Sequence, residues 1–160
     1  MRIGKIRAPR RATVAPQHLR WDSLGEYCAL VPALELAAAR TDNPKAALLA
    51  ETLDQAIGQY LEHARYPSRK VNEIDNRGST FYLALYWAKA LADQDQDPDL
   101  KTRFGAVASE LSASEAAINE ELLTAQGSPV DIGGYYRPDA TLTEQVMRPS
   151  RTLNTIIDRL

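Results

Sequence analysis

From residue 23 onward, apolar positions recur every three or four residues, the period of a helix with one buried face. Leu24, Tyr27, Val31, Leu34 and Ala38 form the first such stripe, and Ser23 with Glu26 has the Ser-x-x-Glu spacing of a capping box at its start. Pro32 lies inside this run, where it removes one backbone hydrogen bond and predicts a bend. Asn43 followed by Pro44 reads as the cap and first residue of a second helix, striped by Ala46, Leu49, Leu53, Ile57, Tyr60 and Ala64 and ended by Pro67. A third helix is predicted from about Thr80 to Leu91. Its FYLALYW run is apolar nearly all round, which points to burial on more than one side. Asp97 and Pro98 repeat the cap-plus-proline signature. Leu100, Phe104, Val107, Leu111, Ile118, Leu122 and Ala125 then continue at helical spacing to Gly127, predicting a single helix that is the longest in the chain.

The gaps between these runs are polar and lack either period. Residues 66–79, YPSRKVNEIDNRGS, are expected to form an ordered loop with a short extended piece at 70–74. The paired glycines and tyrosines of PVDIGGYYRPD suit a tight backbone path or a short strand. Thr141 and Glu144 offer another capping-box spacing, and Ser150 begins a last helix with Leu153, Ile156, Ile157 and Leu160 along one face. The pattern predicts a mainly α fold with at most short strands.

Charge changes this picture at one place. The 160-residue chain has a formal net charge of −2, too little positive charge for a protein that binds nucleic acid through its whole surface. Residues 1–16, however, carry five basic residues and no acidic one, leaving 14 basic against 21 acidic in the remainder. This segment reads as a disordered basic leader, with the folded part at 17–160. The single cysteine, Cys28, makes an internal disulfide impossible and reads as a small buried hydrophobe in a reducing cytoplasm. No run approaches the roughly 18 consecutive apolar residues of a spanning helix, so no membrane partner is expected.

Candidate chemistry narrows quickly. His18 and His63 are far apart and no carboxylates have a metal-ligand spacing, so no metal site is expected from this chain. No serine sits in a Gly-x-Ser-x-Gly elbow, and the glycines at 133 and 134 belong to no phosphate-binding motif. Three arginine-bearing stretches stand out: LRWDS at 19–23, PSRK at 67–70 and DNRGS at 75–79. A guanidinium matches phosphate oxygens with a planar fork of donors, and a nearby helix start adds free N–H groups. Asp22 can orient Arg20 or accept a ribose hydroxyl. The competing reading is that these arginines are solvated, or paired with Asp75 or Glu73.

RWDSLGEY, PSRKVNEIDNRGSTFYLALYWAKALA, PVDIGGYYRPD and VMRPS, in that order from about Leu19 to the end, resemble the C-terminal part of monomeric-type NADP-dependent isocitrate dehydrogenase. The resemblance implies the helical C-terminal part of the smaller α/β domain of that enzyme, which oxidises and decarboxylates isocitrate to 2-oxoglutarate using NADP and magnesium or manganese. The family's arginine and aspartate of its R-W-D motif fall on Arg20 and Asp22, and its arginine of P-S-R-K falls on Arg69. All three contact NADP there. A histidine contact upstream of R-W-D has no counterpart here, since His18 is out of register, and Pro32 interrupts a helix that lacks proline in the family. The catalytic and metal-binding residues lie in the part of the family chain that has no match here.

The expected function is therefore a fragment of the dehydrogenase that contributes part of the NADP site, is inactive alone, and has the missing remainder of the enzyme as its partner. The alternative is a non-enzymatic helical nucleotide-binding or regulatory module. A third reading makes the N-terminal arginines a nucleic-acid arm. Helices cut from a larger domain are expected to leave Phe81, Leu85 and Trp87 exposed.

Overall fold

A computed structural model describes residues 13–14, 19, 21–134 and 136–160. Along them run β1 (Thr13–Val14), α1 (Leu24–Thr41), α2 (Pro44–Glu62), α3 (Asn76–Asp93), α4 (Pro98–Ala113), α5 (Glu115–Thr124), β2 (Val130–Asp131), α6 (Ala140–Met147) and α7 (Arg151–Ile157). The fold is mainly α, as the periodicity predicts. Its described strands are two residues each and pair antiparallel, Thr13 opposite Asp131 and Val14 opposite Val130. β1 thus lies inside the segment expected to be a disordered leader.

Three helix starts form where their caps predict. Asn43 accepts from the N–H groups of Lys45 and Ala46, Asp97 from those of Asp99 and Leu100, and Ser150 from that of Leu153. Elsewhere distant partners displace the local signal. The Ser23 hydroxyl accepts from Asn76 Nδ2 at 2.9 Å, so no capping box forms, and Asp22 Oδ1 takes the free Leu24 N–H at 2.9 Å instead. Asp139, not Thr141, caps α6. α2 stops at Glu62, five residues before Pro67, because Ala64 turns left-handed (φ 52°) and Arg65 N–H closes back on the Tyr60 carbonyl. α3 begins at Asn76 rather than Thr80, and 70–74 forms turns rather than an extended piece. The predicted fourth helix is interrupted at Ser114, which leaves the 19-residue α2 as the longest helix described. α1 runs through Pro32 without a break.

Packing is serial: α1 lies on α2, α2 on α3 and α3 on α4, while α5 and α7 close the far side. The α1 stripe of Leu24, Tyr27, Val31 and Leu34 seats against the core. α3 is buried on several faces, and this corrects the expected exposure of its aromatic run. Phe81 and Leu85 are each 1% exposed, covered within this chain by a core that includes Leu111, Ile118, Leu122 and Ile156. Trp87 is half-buried and donates its indole N–H to Thr52 at 3.0 Å. Cys28 is exposed rather than buried, since it falls off the stripe that faces α2. Among the described residues no helix is long and apolar enough to cross a membrane.

α7 is fastened by one carboxylate. Glu121 accepts from the hydroxyls of Ser150 (2.5 Å) and Thr152 (2.8 Å) and from the Thr152 N–H (3.2 Å). Burial opposes its charge, but these bonds and the nearby Arg151 outweigh that and hold its carboxyl below the ordinary 4.5. A depressed folded value means that the stabilisation is complete above 4.5 and is lost as pH falls through the folded value. Amides of α7 should therefore exchange faster on acidification below about pH 4.5. Glu121→Gln should show fast exchange already at neutral pH and little further acid dependence; an acid response identical to the parent's would refute this assignment.

Candidate functional site

The site is organised around the first turn of α3, whose polar residues are buried because each has partners. Asp75 Oδ1 caps the helix through the N–H groups of Arg77 (2.9 Å) and Gly78 (3.4 Å). Its Oδ2 accepts from Arg77 Nη2 (2.6 Å) and Nε (3.1 Å) and from the Leu19 N–H (3.4 Å). Arg77 Nη1 reaches across to the Val146 carbonyl at the end of α6, 2.7 Å away. Asn76 donates its backbone N–H to the Leu19 carbonyl (2.7 Å) and its side-chain amide to the Trp21 carbonyl (3.1 Å) and Ser23 hydroxyl. The arginine of DNRGS is therefore a structural ion-pair residue, as its competing reading held. Together these bonds hold Leu19, Trp21 and Ser23 against the start of α3.

That segment presents Asp22 to solvent. Its Oδ1 serves the Leu24 N–H and, at the long limit of 3.5 Å, the Tyr60 hydroxyl; Oδ2 has no hydrogen-bond partner among the described residues. Tyr60 is fully buried, with Tyr27 edge-on to its ring. Burial pushes its hydroxyl up to about 12, a shift eased by Ser79 and reinforced by the Asp22 charge, so that it stays a neutral donor. Arg20, between these positions, lies outside the described residues, as does His18.

The second loop connects α2 to α3 and carries Arg69. Arg65 fixes its beginning by lying over the Tyr82 ring, 4.0 Å from the centroid, with Nε 3.4 Å from the Tyr86 hydroxyl. Ser68 N–H donates to the Ile74 carbonyl at 2.7 Å, while the Ser68 hydroxyl donates to Glu73 and accepts from the Lys70 N–H. Ile74 can sit down on α3 because residue 78 is glycine, where an added Cβ would lie 3.0 Å from Ile74 Cγ1. The Gln126 side chain crosses from the end of α5 to the Asn72 N–H (2.8 Å) and the Glu73 carbonyl (2.9 Å). Arg69 itself is exposed and has no hydrogen bond or ion pair with a described residue.

Asp22 thus stands on the stretch that enters α1 and is bonded to the first turn of α3, and Arg69 on the loop that leads into that turn. Their chemistry suits a phosphorylated ligand: a fork of unsatisfied donors on one loop and a free carboxylate oxygen on the other. Among the described residues no group of three or more His, Cys, Asp and Glu could hold a metal. The sequence pointed to Asp75 only as a possible arginine partner and to no supporting role for Asn76, Tyr60 or Gln126. Asp75 had a readable signal, an aspartate just before a helical run; Gln126 had none, because both of its partners are over fifty positions away.

The described residues thus form a helical segment in which two polar stretches meet at the start of α3. A family model described as monomeric isocitrate dehydrogenase matches residues 8–158, and the chain belongs to that family. The match begins within the segment expected to be unrelated leader. The isocitrate dehydrogenase [NADP] of Azotobacter vinelandii is 54% identical over 140 residues, covering 88% of this chain and 19% of that enzyme. The isocitrate dehydrogenase [NADP] 2 of Colwellia maris is 53% identical over 143 residues, 89% of this chain and 19% of that enzyme. That of Mycobacterium tuberculosis is 51% identical over 145 residues, 91% and 20% respectively. The chain spans about a fifth of the length of the curated relatives it matches.

Proposed function

We propose that this chain supplies part of the NADP site of an isocitrate dehydrogenase, with Arg20 and Arg69 directed to the adenosine 2′-phosphate and Asp22 to a ribose hydroxyl. The observation that carries this reading is Arg69: a guanidinium without a partner among the described residues, carried on a loop whose backbone is fixed at several points. A merely structural arginine in this fold looks like Arg77, buried and saturated. The relatives named above carry NADP in their names. NADP supplies the hydride acceptor when bound. The residues of this chain bind and orient it, leaving isocitrate, magnesium or manganese and the proton-transfer groups to the rest of the dehydrogenase, its proposed partner in the cytoplasm. The chain alone is then inactive in isocitrate oxidation.

The burial of Phe81 and Leu85 within this chain favours one second reading, a helical nucleotide-binding module that works without the catalytic part. Calorimetric titration tests both. NADP should bind in preference to NAD, and Arg69→Ala should weaken NADP about 10- to 100-fold, the worth of one hydrogen-bonded charge, while leaving NAD unchanged. Equal affinity for the two nucleotides, or no heat with either at millimolar concentration, removes the cofactor reading in both forms. Isocitrate-dependent turnover by the purified chain would remove the claim of inactivity.

A further inference from the structure

We propose that Gln126 is a positioning residue for the cofactor, acting through the loop that carries Arg69; this rests on the NADP reading above. Gln126 is 7% exposed, unusual for an amide side chain, and both ends of its amide are used on the same loop. Oε1 accepts from the Asn72 N–H and Nε2 donates to the Glu73 carbonyl, so the side chain completes the backbone pairing that this loop cannot make for itself. Asn72 needs this support because it is held at φ 65°, a left-handed conformation. Gly127, itself at φ 88°, places the loop beside the turn that follows α5: an added Cβ there would lie 3.9 Å from Asn72 Oδ1.

Within the loop, Ser68 N–H donates to the Ile74 carbonyl, and the described side-chain ties lie at the surface. Lys70 and Glu73 form an exposed ion pair at 3.6 Å, and the Ser68 to Glu73 bond lies at the surface. Gln126 anchors the loop to the helical body at Asn72 and Glu73, only a few residues beyond Arg69. A guanidinium held in place loses less freedom when a phosphate arrives, so the Gln126 clamp should appear as affinity for the 2′-phosphate and not for the nucleotide as a whole.

The test uses the full chain and variants at Gln126 and Arg69, singly and together. Gln126→Met keeps length and apolar bulk but makes neither bond; Gln126→Glu keeps an acceptor for Asn72 and loses the donor to Glu73. The Asn72 amide should exchange about tenfold faster in Gln126→Met, with Gln126→Glu intermediate and core amides of α2 unchanged. NADP binding should weaken about tenfold in Gln126→Met with NAD unaffected, and Gln126→Met should add nothing in an Arg69→Ala background, because its effect passes through that arginine. Equal loss for NADP and NAD, or an additive double variant, overturns the positioning role. Should the parent chain bind no NADP, the cofactor reading falls and the affinity role with it. Unchanged Asn72 exchange in Gln126→Met, with NADP binding intact, would overturn the clamp alone.

Discussion

Asp75→Ala is expected to lose about 3–5 kcal/mol of stability, the loss typical of a buried ion pair broken from one side. The side chains of Arg77 and Asp75 are 3% and 0% exposed, so the guanidinium left behind stays desolvated with two of its bonds gone. The same change removes the cap of α3 and the acceptor for the Leu19 N–H. Against a typical total of about 5–15 kcal/mol, a loss of this size brings the chain close to unfolding at ordinary temperature. Urea unfolding followed by helical circular dichroism should show a large drop in midpoint. Asp75→Ala combined with Arg77→Met should recover part of it, because the uncompensated charge is removed. A single variant within about 1 kcal/mol of the parent would mean that the pair is solvated and the description of this turn is wrong. The prediction bears on function because Leu19, Trp21 and Ser23, the described neighbours of Asp22, are bonded to the same turn.

Phe81→Ala should cost a comparable amount, about 3–5 kcal/mol. The ring is 1% exposed and stacks at a tilt on Tyr82, 5.0 Å between centroids. It also lines a cavity of about 330 Å³ shared with Leu122, Leu153 and Ile157. Truncation would enlarge a space that already exists between α3, α5 and α7, where the surroundings have little to collapse with, so the upper part of that range is expected. Thermal unfolding of the variant should show a lowered midpoint, whereas Leu61→Ala, at a residue 49% exposed, should scarcely move it. If the two behave alike, α5 and α7 do not cover this face.

What could be read from the residue order was whatever depended on near neighbours. The cap-plus-proline pairs at Asn43 and Asp97, the stripe on α1 and the Leu53, Ile57 and Tyr60 part of the stripe on α2 are set within one or two turns and appear as predicted, whereas Ala64 falls beyond the end of α2. Features set by distant partners were not legible. The polar run from Asp75 to Ser79 reads as loop, yet it is the buried first turn of a helix because Leu19, Trp21 and Val146 satisfy it from afar. Ser23 reads as a cap until Asn76 claims its hydroxyl. The all-round apolar pattern of α3 predicts burial on several sides, as found; the expected exposure of Phe81 and Leu85 came from treating the helices as cut from a larger domain, and α5 and α7 cover them within this chain. Of the candidate site residues, Asp22 and Arg69 stand in motifs legible in the sequence, while Asn76, Tyr60 and Gln126, which hold the neighbouring backbone, do not, since support of that kind has no spacing rule.

The two-residue ribbon of β1 and β2 also bears on the order of folding. Its partners are roughly 120 residues apart in sequence, and two pairs join it among the described residues. Closing so long a loop costs conformational entropy that two rungs barely offset, whereas the packing of α1 to α4 proceeds between successive neighbours. The ribbon therefore zips after the helices have assembled and opens before they come apart. The N-terminal strand behaves as a latch on a finished body, a low-cost opening that leaves the helical core and its hydrogen-bonded first turn of α3 intact.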